Sequence, residues 1–148
     1  MKSALLTVPF VYAGLMSCRE PAPVLLPSTS EQLALSLRPN ATGGDPLPRV
    51  HISAGSGSVS IVLTQRWMCG GRVSAGVNRT PGDLAIVVRQ LSPDSMVVCA
   101  PISGVVDYTG TITGLSAGSY RVRVFEAQSN TGSRLLGSAT VSVSTPAT

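Results

Sequence analysis

The sequence is short of charge and of aromatic rings. Asp, Glu, Lys and Arg make up 12% of it, half the usual globular share of about 25%, and Phe, Trp and Tyr make up only 4%. A core must therefore come from Val, Ile, Leu and Ala, and little ring surface is left for stacking bases. Lys2 is the sole lysine, and without residues 1–17 ten arginines face seven acids, a net +3. The arginines are scattered from Arg19 to Arg134 with no basic run, so no nucleic-acid partner is expected. His51 is the only histidine, and at the start of an apolar run it reads as a solvent-facing or core-edge side chain. The acids are dispersed, without a close pair or calcium-loop spacing, and there is no GxSxG, phosphate loop or dinucleotide fingerprint. No catalytic residue, metal or cofactor is expected, although carboxylates distant in sequence can still meet in space.

What the chain does have is Gly, 15 residues, and Pro, 11, with Ser and Thr where Lys and Glu are usual. That composition favours strands and turns over helices. At 148 residues it holds one ordinary domain and some terminal material.

Residues 1–18 combine a positive start at Lys2, an apolar run from Ala4 to Met16 broken by Pro9, and a small residue before Cys18. The apolar stretch is shorter than the ~20 residues of a lasting membrane span, so it reads as an export signal. Leu15-Met16-Ser17-Cys18 resembles the lipobox of bacterial lipoproteins. The resemblance implies diacylglyceryl transfer to the Cys18 thiol, cleavage after Ser17 and acylation of the new amino group. It also implies membrane attachment through that lipid, as palmitate-type chains. Arg19 stands where such proteins carry an inner-membrane retention aspartate, which favours the outer membrane.

Residues 18–48 carry six prolines with Ser, Thr and Gly between them and read as an extended lipidated tether. Within them Leu33-Ala34-Leu35-Ser36-Leu37 alternates like a half-buried strand, so an edge strand and a sticky patch in a linker both remain open. Residues 49–144 form the domain and 145–148 a tail. About seven short alternating runs follow in the domain: Arg49 to Ser53, Val59 to Thr64, Leu84 to Val88, Met96 to Cys99, Val106 to Ile112, Tyr120 to Val124 and Ala139 to Val143. No helical period separates them, which argues against parallel crossovers. The expected fold is all-β, an antiparallel two-sheet sandwich.

The stretch from Tyr108 to Val124, with Leu115, Gly118 and Tyr120, resembles the corner before the sixth strand of immunoglobulin-like and fibronectin-type sandwiches. Transthyretin-like accessory domains of bacterial surface proteins share this glycine-tyrosine strand entry, so the superfamily stays open. The resemblance implies that Leu115 packs inward and that the Tyr120 hydroxyl bonds to upstream backbone. Val122 and Val124 would then share the inward face, and Arg121 and Arg123 would point to solvent.

With Cys18 committed to lipid, Cys69 and Cys99 form an even pair in an exported protein and read as a disulfide. Between them Arg72, Asn78, Arg79 and Asp83 fall in a Gly-containing stretch beside Trp67, a candidate binding loop. Trp67 is either a contact anchor there or a ring buried against the disulfide. The leading reading is a lipid-anchored, non-enzymatic envelope protein whose sandwich binds a protein or glycan partner or serves as a structural module. An enzyme inhibitor presenting the span between Cys69 and Cys99 is the second, and a small hydrolase the third.

Overall fold

A computed structural model describes residues 30–40, 46–66, 72–91, 104–128 and 132–145. Alternating apolar and polar side chains set strand after strand. In chain order they are β1 (Glu31–Leu33), β2 (Leu35–Asn40), β3 (Arg49–Gly55), β4 (Ser58–Arg66), β5 (Arg72–Thr80), β6 (Asp83–Leu91), β7 (Val105–Ile112), β8 (Gly118–Gln128) and β9 (Gly132–Val143). They form a sheet of five, ordered β1-β5-β6-β8-β9, and a sheet of four, ordered β2-β7-β4-β3. The protein is an all-β, two-sheet sandwich.

The core lies between the sheets and is aliphatic, as the scarcity of rings requires. Val59, Ile61 and Leu63 of β4 face Leu84, Ile86 and Val88 of β6 and Val122 and Val124 of β8, and all are buried. Because side chains alternate along a strand, Ser60, Val62 and Thr64 fall on the opposite face of β4. Pro81 and Gly82 join β5 to β6. Gly82 takes φ +70°, and proline followed by such a glycine is the pair a type II turn favours.

Among the described residues six of the seven expected runs are strands, and two further places add three more. Arg72–Thr80, which sequence alone left as a loop, alternates Val73, Ala75 and Val77 with polar or small residues and pairs along its length with β6. Leu33–Leu37 settles the alternative left open in the tether, because the chain pairs first with β5, then switches sheets at Ala34 and pairs with β7. Gly110 of β7 makes room for that switch. A Cβ there would stand 2.9 Å from both Leu33 Cδ2 and Leu35 Cδ2. The Met96 to Cys99 run, like Cys18, Trp67 and Cys69, lies outside the described residues.

Pairing is antiparallel at six of seven seams, and β6–β8 is parallel. That one seam departs from the antiparallel pairing expected of the sandwich. A parallel pair needs a long connection, and β7 supplies it: the chain leaves β6, crosses to the other sheet as β7, and returns as β8.

The sandwich has two distinct ends. At one, the chain enters with Glu31 opposite Val77, and backbone bonds from Leu115 N to Gly57 O (3.0 Å) and Gly57 N to Ser144 O (2.9 Å) tie the sheets together. At the other, the distal end, β2 and β4 finish at Asn40 and Arg66 and β5 begins at Arg72.

Candidate functional site

The outer face of the four-stranded sheet gathers side chains that are far apart in sequence. Arg38 on β2 is the register partner of Asp107 on β7, Asp107 of Thr64 on β4, and Thr64 of Arg49 on β3. These four residues make one continuous row across the sheet, with an arginine at each edge and a carboxylate between them. On the distal side of this row stand Asn40, Val105 and Arg66, and on the other side Ser36, Thr109, Val62 and His51. Alternation explains the face: Val50 and Ile52 of β3 turn inward, which sends Arg49 and His51 outward.

The centre of the row is fixed by hydrogen bonds. Thr64 Oγ1 donates to Asp107 Oδ1 at 2.6 Å, and Asn40 Nδ2 donates to Oδ1 and Oδ2 at 2.9 and 3.0 Å. Arg38 and Arg49 are exposed and enter no ion pair among the described residues. Arg66 stands on the same face, so among the described residues three arginines share it with Asp107, whose carboxylate accepts from Thr64 and Asn40. On the other sheet Arg79 pairs with Glu31 (2.7 Å), Arg121 and Arg123 with Asp83 (3.0 and 2.6 Å), and Arg134 with Glu126 (2.8 Å), while Arg72 and Arg89 enter no ion pair among the described residues. Hydroxyls line the remainder of the face, with Ser60 and Thr111 bonded at 3.1 Å.

The residues singled out as a binding loop do not form one. Arg72, Asn78, Arg79 and Asp83 lie on the β5–β6 hairpin. Arg72 and Asp83 stand at opposite ends of nine-residue strands, on the order of 25 Å apart at strand rise. Arg72 and Asn78 face outward, whereas Arg79 donates to Thr113 O at 2.8 Å and to Glu31. The misreading has a physical source, because Gly76 and the polar alternation of Ser74 and Asn78 look loop-like when Val73, Ala75 and Val77 are not read as a buried stripe. The span between Cys69 and Cys99 thus supplies two core strands rather than a free loop.

At the corner, Leu115 is buried and the Tyr120 hydroxyl donates to Ser116 O at 3.1 Å, on an exposed edge. Gly118 opens β8. Arg121 is exposed, but Arg123 does not simply point to solvent. It bonds Asp83, lies 5.7 Å from the Phe125 ring centroid, and leaves its buried Nε without a hydrogen bond. Among the described residues no three His, Cys, Asp or Glu side chains gather as metal ligands.

Sequence reading missed Arg38, Arg49 and Asp107. Each sits at the polar phase of an alternating run, which signals an outward side chain. That they share one row depends on the strand order β2-β7-β4-β3, which no local pattern encodes. Comparison with protein-family models, curated proteins and solved structures finds no match.

Proposed function

We propose that this chain is a lipid-anchored, non-enzymatic protein of the bacterial cell envelope, a β-sandwich binding module tethered through Cys18, with the outer face of the four-stranded sheet as its binding surface. The row Arg38–Asp107–Thr64–Arg49 carries the reading, because two exposed arginines with no ion pair among the described residues are held at fixed places on the sheet. The Leu15-Met16-Ser17-Cys18 motif supports the anchor.

The geometry suits a tethered binder. From Cys18 to Ser30 the chain has twelve Cα steps, a reach of about 40 Å at most when extended. Since the chain enters β1 opposite Val77, away from the distal end, Arg38, Arg49 and Arg66 lie toward the end remote from the anchor.

Fractionation tests the reading. The wild-type chain should sediment with membranes and dissolve only in detergent, and Cys18→Ser should appear as soluble protein or as unprocessed precursor. Wild-type protein recovered soluble without detergent would contradict it.

A further inference from the structure

We infer that the outer face of the four-stranded sheet takes an anionic oligosaccharide, with acidic groups on Arg38 and Arg49 and sugar hydroxyls over Asp107. This rests on the proposal that this face is the binding surface, and names the chemistry of its ligand.

Three features select that class. Spacing is the first. Arg38 and Arg49 lie on the two edge strands of the sheet, three strand intervals apart, or about 14 Å. Held that far apart with Asp107 and Thr64 between them, the two guanidinium forks suit an extended ligand that brings a separate acidic group to each.

The centre is the second. Asp107 stands between the two arginines, one strand interval from Arg38 and two from Arg49, so a ligand with dense, uniform negative charge meets a like charge there. Its oxygens already accept from Thr64 and Asn40, and a carboxylate still has lone-pair sites for donors above the sheet. A ligand that places hydroxyl donors between its acidic groups satisfies both demands. Ser36, Thr109 and Thr111 on β2 and β7, and Ser53 and Ser60 on β3 and β4, extend the same hydroxyl-rich bed.

The third feature is what the described part of the face lacks. No aromatic ring stands on it, so bases and neutral sugars have no stacking platform there. Its apolar members, Val62 and Val105, sit in different rows, which does not make the apolar centre of a protein interface. Acidic sugars bound through charge and hydroxyls need neither.

The test uses the full purified chain in detergent, so it reads ligand chemistry independently of whether Cys18 is lipidated. Titration with an oligogalacturonate should give saturable binding that weakens as salt rises. Arg38→Gln and Arg49→Gln should each lower affinity about tenfold while leaving the thermal melt unchanged, whereas Arg121→Gln on the other sheet should bind like wild type. Asp107→Asn should raise affinity for a densely charged polyphosphate at least several-fold. Binding of neutral maltohexaose, of an oligothymidylate or of phosphatidylglycerol vesicles as strongly as the oligogalacturonate would overturn the inference. So would oligogalacturonate binding indifferent to Arg38 and Arg49, or the absence of any binding.

Discussion

Asp83 and Arg123 meet at 2.6 Å across the parallel seam between β6 and β8. Asp83 opens β6 directly opposite Arg121, whose Nε donates to it at 3.0 Å, so one carboxylate joins two arginines of β8. The seam also carries the Arg121 N to Gly82 O backbone bond of 2.9 Å. These contacts pin the start of β6 to β8, where no hairpin turn joins the two strands.

The pair gives a pH signature. Burial opposes ionisation of Asp83, but the hydrogen bonds and charges of Arg123 and Arg121 outweigh it and hold the carboxyl below its ordinary range. A lowered folded-state value means that this stabilisation is complete above the unfolded carboxylate value of about 3.9 and is lost as pH falls through the folded value. Asp83→Asn should therefore be less stable than wild type near neutrality, and the two should converge in acid. Denaturant melts between neutral and strongly acidic pH measure this, and a difference that grows toward acid would refute it.

Tyr120 tests the corner. For a buried bond, loss of the hydroxyl would leave Ser116 O unpaired at a cost of about 1–3 kcal/mol. Here the bond lies at an exposed edge, so water can replace the hydroxyl and Tyr120→Phe should cost about 0.5–1 kcal/mol. The ring packs half-buried against the core, so Tyr120→Ala should cost more, about 2 kcal/mol. Equal losses in denaturant melts of the two variants would mean that the ring does not pack.

An even pair of cysteines in an exported protein is expected to form a disulfide, Cys69 to Cys99. Both cysteines lie outside the described residues, but Arg66 pairs with Val105 and Arg72 pairs with Leu91. Residues 67–71 and 92–104 therefore connect the same two places, one running from β4 to β5 and the other from β6 to β7. A bond between the two cysteines would add roughly 3 to 4 kcal/mol on the chain-entropy account. Thiol labelling of the exported, folded protein should find neither sulfur reactive until reductant is added, and labelling of both beforehand would exclude the bond.

Much of the fold was legible in local alternation. Val59, Ile61 and Leu63, and likewise Leu84, Ile86 and Val88, announced both strands and inward faces. Partner choice was not legible, because alternation is the same whether a neighbour runs parallel or antiparallel, so the β6–β8 seam was invisible. Arg38 shows the limit for the site. Four residues beyond Ala34 and next to Pro39 it looks like tether, and only the sheet switch of β1 to β2 brings it into a row with Asp107 and Arg49. Proline is tolerated there because β2 is an edge strand, where one face of the backbone needs no partner.

The proposed anchor comes to a single atom, the sulfur of Cys18. Mass spectrometry of the N-terminal peptide from protein extracted out of its own membrane reads that atom directly. The account predicts a peptide that begins at Cys18 and carries a diacylglyceryl thioether, with or without an acyl group on the new amine. An unmodified Cys18, or a mature chain beginning at any other residue, would contradict it.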